Sequence, residues 1–189
     1  AGSIAGQRGW EVGPGAAIIG TSSASSGSQS VELLPASPPT LLARSFAPQT
    51  GQPIVFVDFF AQPVAEVDPA SATTFDVESS RLNFQNHGSG QGVLRVFDGD
   101  GTGGGTWVVT KYATPIGAAD RTTNWVRLTV RIDFTAKTWD VYAGGTMVAA
   151  DLHFRDNSAT DLSLVTVSRD TATSSLLDDL FAAPANPLF

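Results

Sequence analysis

Aspartates alternate with glycines at Asp98-Gly99-Asp100-Gly101-Thr102-Gly103, the spacing in this chain that most resembles ion chemistry. Oxygen ligands at the first, third and fifth positions, with a glycine at the sixth, match the opening of a calcium loop. The twelfth position, where a bidentate Glu belongs, is Val109, and the same residues describe an Asp-Gly hairpin turn that needs no metal. The acidic pair Asp178-Asp179 near the C-terminus can fasten a closing strand through hydrogen bonds or through calcium. Asp98 and Asp100 in the loop, or Asp179 in the closing acidic pair, are therefore candidate ligands of a structural calcium ion; no other cofactor is indicated.

Carboxylate pairs suitable for cleaving a glycosidic bond are sparse. Glu66-Val67-Asp68 begins like the E-x-D-x-E strand of laminarinase-type glucanases, but Pro69-Ala70-Ser71 follows and the second Glu is missing. Asp76 and Glu78 lie two apart and would share one face of a strand. Asp58 interrupts the otherwise apolar run Ile54–Phe60, either as a buried, hydrogen-bonded carboxylate or as a group facing a ligand groove. The two histidines, His87 and His153, have neither zinc-site spacing nor a nucleophile beside them; His87 reads as a loop residue and His153 as an outward strand position.

A more promising set lies on one strand. Trp125, Arg127, Thr129, Arg131 and Asp133 alternate with apolar neighbours, and Tyr142 and Asp140 follow on the next strand. An aromatic ring that stacks on a pyranose, beside guanidinium and carboxylate groups that bond its hydroxyls, is how sugars are held on an open sheet face. A plain solvent-facing sheet surface would use the same residues. Trp125, Arg127, Arg131 and Tyr142 are the candidate ligand-binding residues, with Trp107 beside the glycine-rich loop as a further aromatic or as a core residue.

The elements that must position these groups are strands. Val126, Leu128, Val130, Ile132 and Phe134 take every second position, a period that a half-buried strand produces and a helix does not. A polar break leads to a second strand, Thr138–Ala143, and Gly144-Gly145 supplies a tight turn. Apolar runs recur at Ala16–Ile19, Ser30–Leu34, Leu41–Phe46, Ile54–Ala61, Thr74–Val77, Arg81–Gln85, Gly92–Phe97 and Thr106–Lys111. Met147–Ala150, Leu162–Ser168 and Leu176–Phe181 complete the set, and no segment sustains a helical period. The pattern predicts an all-β chain, a two-sheet antiparallel β-sandwich, in one domain over 1–183, with 184–189 as a linker or tail leaving it.

Composition narrows the partners. A net charge of −7 with scattered basic residues speaks against nucleic acid, which needs clustered Lys and Arg. The absence of cysteine removes disulfide and thiolate chemistry. No run approaches the ~20 apolar residues of a membrane span. The opening Ala1–Gln7 lacks the regions of a signal peptide, so an exported protein would have lost its signal from this chain.

Trp125-Val126-Arg127-Leu128, the hairpin Asp133…Lys137-Thr138-Trp139-Asp140-Val141-Tyr142, Gly144-Gly145 and Asp178-Asp179-Leu180 together resemble concanavalin A-like lectin/glucanase jelly rolls. Laminin-G-like modules are the nearest in kind, and Gly2–Trp10 resembles the opening of such domains in exported, multidomain bacterial proteins. The resemblance implies a jelly roll of two curved antiparallel sheets and an extracellular or cell-surface role in binding a polysaccharide or cell-surface glycan. The E-x-D-x-E signature of the enzymatic branch has no match. The expectation is a non-catalytic carbohydrate-binding module; the alternatives are a glycoside hydrolase or polysaccharide lyase of the same fold, or a purely structural domain.

Overall fold

The computed structural model describes residues 2–21, 23–36, 40–47, 51–63, 77–116, 124–169 and 175–189, and every regular element among them is a strand. The first six are β1 (Gly2–Ser3), β2 (Trp10–Val12), β3 (Ala17–Gly20), β4 (Ser30–Leu33), β5 (Thr40–Ser45) and β6 (Ile54–Gln62). β7 (Leu82–Asn86), β8 (Gln91–Gly99), β9 (Gly105–Pro115) and β10 (Val126–Asp133) follow. The chain closes with β11 (Thr138–Ala143), β12 (Thr146–His153), β13 (Leu164–Arg169) and β14 (Ser175–Ala183). One eight-stranded sheet runs β1-β3-β4-β14-β6-β10-β11-β12; two three-stranded sheets, β13-β5-β2 and β7-β8-β9, form the opposing layer. All pairings are antiparallel, and the whole is a β-sandwich of the jelly-roll type.

The alternation on β10 explains why the layers close. Val126, Leu128, Val130 and Ile132 are buried, and the register with β6 sets Val57 beside Val130 and Val55 beside Ile132. Leu42 of β5 and Phe84, Leu94 and Val96 of the third sheet come from the other layer to meet them. Each such side chain contributes about 1.5–3 kcal/mol by leaving water. Trp139 is fully buried, and its indole N–H donates to the His153 carbonyl at 3.2 Å, so the ring's polar edge is satisfied within the core.

Turn chemistry sets the hairpins. Between β10 and β11, the Asp133 carboxylate accepts the N–H groups of Thr135 (3.0 Å) and Ala136 (2.9 Å), an Asx turn. Between β11 and β12, Gly144 and Gly145 take φ of +57° and +81°, the signs that a two-residue hairpin turn demands. The glycine-rich segment is also a hairpin turn, joining β8 to β9, and it docks on the chain after β12. The N–H of Gly101 reaches the Phe154 carbonyl (3.0 Å) and that of Gly103 the Arg155 carbonyl (2.7 Å). A Cβ at Gly99 would collide with Phe154 O and the Arg155 backbone, so close backbone approach accounts for the glycine there.

Three details depart from expectation. β1 and β2 lie where no strand was anticipated, since two or three residues carry no readable period. Of the strand expected at Thr74–Val77, residues 74–76 lie outside the described residues, and Val77 belongs to no strand. The residues after Ala183, read as a linker leading away, instead turn back over the outer face of the large sheet, where the Arg127 guanidinium donates to the Pro187 carbonyl at 3.1 Å.

Candidate functional site

The outer face of the large sheet carries four of the five residues singled out for binding. Trp125 directly precedes β10, Arg127 and Arg131 project from β10, and Tyr142 stands opposite Thr129 on β11. The face is less open than an alternating strand suggests: Asp58 and Thr129 are each 1% exposed. Asp58 sits at the centre, its carboxylate accepting from Arg127 Nε (3.1 and 3.2 Å) and from the Thr129 hydroxyl. Arg131 is also committed, pairing with Asp140 at 3.1 Å and Asp133 at 3.0 Å. The Trp125 indole donates to Ser23 Oγ at 3.2 Å, and Gln62 donates to the same hydroxyl at 3.1 Å. Asp58 is thus the buried, hydrogen-bonded carboxylate, and it also borders a groove.

That groove arises at an irregularity in β14. Leu177 pairs with Ala61 and Asp178 with Phe60, but the next pairing is Phe181 with Asp58, so Asp179 and Leu180 together face Phe59. This β-bulge re-aims the strand. Asp179 takes φ of +50° within it, a conformation Asp tolerates better than most residues. The resulting groove has a volume of about 740 Å³ and is lined by the rings of Phe60 and Phe181, by the buried Trp10, and by three arginines, Arg8, Arg44 and Arg127. The size falls in the range of about 300–1,000 Å³ usual for ligand clefts. Arg44 lies 5.5 Å from the Trp10 ring and 5.0 Å from that of Phe46, and it donates to the Leu180 carbonyl. Burial, with the charge of Arg8 added, works against its positive charge.

Trp107 is not part of this face. It belongs to β9 in the other layer, packs edge-to-face on Phe97, and lies under the guanidiniums of Arg95 (5.0 Å) and Arg81 (5.9 Å). It borders a cleft of about 520 Å³ between the layers, floored by Val57, Leu128 and Val130. Glu78 borders the same cleft, held by Arg155 at 3.2 Å and Arg81 at 3.7 Å; burial pushes its carboxyl up against the opposing pull of both arginines. Of the carboxylates considered for cleavage chemistry, the two among the described residues lie apart, Asp58 facing outward and Glu78 between the layers; Glu66, Asp68 and Asp76 lie outside the described residues.

The two candidate calcium positions are separate, one at the β8–β9 turn and one on β14, and their carboxylates are hydrogen-bonded within the protein. Asp100 Oδ1 accepts from Thr102 N and Thr102 Oγ1 (both 2.8 Å) and Gly104 N (3.0 Å), bonds that hold its carboxyl below the usual range. Asp98 Oδ1 accepts the N–H of His153 at 2.8 Å and contacts its Nδ1 at 3.0 Å. Asp179 lies on β14 and accepts from the Ser26 hydroxyl at 2.7 Å, while Asp178 takes the N–H groups of Ser25 (2.8 Å) and Ser26 (3.2 Å). The acidic pair thus fastens the loop before β4 to the last strand. Among the described residues no three metal-binding side chains cluster.

Three residues that line the groove are not marked as candidates by the sequence: Arg8 and Trp10 enter only as part of the opening segment, and Arg44 not at all. The available signal was the Arg-Gly-Trp run, Arg8-Gly9-Trp10, in which a charged residue stands at a tight turn where Asn or Gly is usual.

No protein-family model matches the sequence, and no curated protein matches it. Similarity to solved structures is at the level of fold. A sialidase is matched over 97% of this chain at 9% identity, TM-score 0.57. A carbohydrate esterase from the Shiga toxin-encoding bacteriophage phi24B is matched over 92% at 12% identity, TM-score 0.53, and the binding domain of botulinum neurotoxin serotype G over 95% at 11%, TM-score 0.51. The chain spans 18% of the sialidase, 89% of the esterase and 44% of the toxin domain. These likenesses show that the chain shares their β-sandwich fold.

Proposed function

We propose that this domain is a non-catalytic glycan-binding module that works outside the cytoplasm, with its ligand in the groove at the β14 bulge. The observation that carries the reading is the meeting of aromatic rings and guanidinium donors in one cleft of ligand size. Phe60 and Phe181 flank Asp58 and offer faces for a pyranose, and the arginines offer donors for its hydroxyls. Likeness to a domain within a sialidase and to a carbohydrate esterase supports a sugar as the ligand class. Kinship with concanavalin A-like and laminin-G-like modules of exported bacterial proteins belongs to the same proposal; the large antiparallel sheet and the tryptophan-bearing β10–β11 hairpin support it. The carboxylates that line the groove are already held by hydrogen bonds within the protein, which favours binding over cleavage.

The test is thermal unfolding across a panel of soluble polysaccharides, repeated on Phe181→Ala. A ligand bound only by the folded state adds roughly 2.7 kcal/mol at a hundredfold over its Kd. For a domain of this size that raises Tm by about 5–11 °C. Phe181 is 39% exposed, so its truncation costs little stability while removing a stacking face. A sugar-dependent rise that Phe181→Ala loses is the expected result. No rise with any polysaccharide, or an equal rise in the variant, would overturn the reading.

A further inference from the structure

Four arginines, Arg81, Arg127, Arg131 and Arg155, each pair with a carboxylate. Among the described residues Arg8 and Arg44 pair with no carboxylate, although the chain carries seven more acidic than basic groups. They line the same groove, close enough for the charge of Arg8 to oppose that of Arg44. The acids of that groove bond other partners than these two arginines: Asp58 pairs with Arg127 and Thr129, Asp178 accepts the Ser25 and Ser26 amides, and Asp179 accepts the Ser26 hydroxyl. Arg44, set against the Trp10 and Phe46 rings, makes one hydrogen bond, to the Leu180 carbonyl, with the five N–H donors a guanidinium carries.

Arg8 adds a second, independent peculiarity. The Trp10 N–H donates to the Gln7 carbonyl at 2.9 Å, closing a two-residue turn in which Arg8 has φ of +47° and Gly9 +80°. A left-handed conformation disfavours a long side chain and is cheap for Gly or Asn. Backbone strain at a residue that contacts no acid is retained at a site more readily than in a bare turn.

We infer that Arg8 and Arg44 form a subsite for an oxyanion carried by the glycan, a uronate carboxylate or a sulfate ester. The inference rests on the glycan-binding reading above and names its ligand class. Two guanidinium forks meeting one planar or tetrahedral oxyanion make charge-assisted, bidentate contacts, and the bound anion removes the repulsion between them. The aromatic part of the groove then holds the ring that bears the anion.

Isothermal titration with four probes tests this: oligogalacturonate, its carboxyl-reduced neutral counterpart, a sulfated galactan oligosaccharide and its desulfated form. Each is titrated into the wild type, Arg8→Asn and Arg44→Gln. An acidic probe should bind at least about tenfold more tightly than its neutral counterpart, and Arg8→Asn should lose about tenfold, the size of one charge-assisted hydrogen bond. The carboxylate and sulfate arms tell which oxyanion is held. Because Asn accepts the turn's φ, Arg8→Asn should melt at or above the wild-type temperature, which separates lost affinity from lost folding. Equal affinity for acidic and neutral partners, or an unchanged affinity in Arg8→Asn, would overturn the subsite while leaving a Phe181-dependent glycan site intact. Absence of binding by all four probes and by the earlier panel would overturn both.

Discussion

Replacing Asp58 by Ala tests the centre of the outer face. The carboxylate is 1% exposed and holds the Thr129 hydroxyl and the Arg127 guanidinium in place. Breaking a fully buried ion pair costs about 3–5 kcal/mol because the surviving partner loses both its counter-charge and water. Here the Arg127 side chain is 31% exposed and can rehydrate, whereas Thr129 is 1% exposed and cannot. The expected cost is therefore lower, about 2–3 kcal/mol, or a fall in Tm of about 4–12 °C for a domain of this size. Asp58→Asn keeps an acceptor for Thr129 and should cost roughly half as much. Arg127→Ala, measured alone and with Asp58→Ala in a double-mutant cycle, should show a coupling of about 1–2 kcal/mol, since the two groups share one contact. Urea unfolding gives each free energy. A cost below about 1 kcal/mol for Asp58→Ala, or strict additivity in the cycle, would mean that the pair does not organise the face.

Further expectations concern the turns and the acid limb of stability. Gly99→Ala forces a Cβ into the Phe154 carbonyl and the Arg155 backbone, so it should lower Tm by more than about 4 °C through strain alone; calorimetry showing no change would place the β8–β9 turn farther from β12. The Asp133 carboxyl is held low by the Ala136 amide, then the Thr135 amide and Arg131. A lowered pKa in the folded state gives stability that is present above the unfolded value, near pH 4, and is lost as pH falls through the folded one. Asp133→Asn should accordingly flatten the decline of Tm below about pH 4 relative to wild type, in a series of melts from neutral to acid. The Asp98–Gly105 turn is closed by its own hydrogen bonds, so millimolar calcium and EDTA should give the same Tm; a calcium-dependent rise would assign an ion to Asp98 and Asp100.

Much of the frame is visible residue by residue. The alternation from Val126 to Ile132 marks β10 and its buried face, and Gly144-Gly145 marks the turn after β11, because both depend on local geometry. The site is less visible because its parts come from far along the chain. Thr129 looks like a solvent-facing threonine until Asp58, 71 residues away, accepts its hydroxyl. Arg127 looks free until Asp58 and the carbonyl of Pro187 take its donors. Arg8 and Arg44 become neighbours only because β2 pairs with β5, with Trp10 opposite Arg44. Trp107 and Trp125 carry similar sequence signals yet lie on different layers, a fact set by strand order that no local period encodes.

The bulge in β14 has a consequence for how the groove arises and disappears. Leu177 points inward and Asp178 outward; after the extra residue, Leu180 again points inward and Phe181 outward. Removal of Asp179 alone would restore strict alternation, with Leu180 opposite Phe59 and every inward side chain of the strand unchanged. A sandwich with the bulge and one without it thus differ by a single residue in β14, so the groove's outline depends on one insertion in an otherwise regular strand.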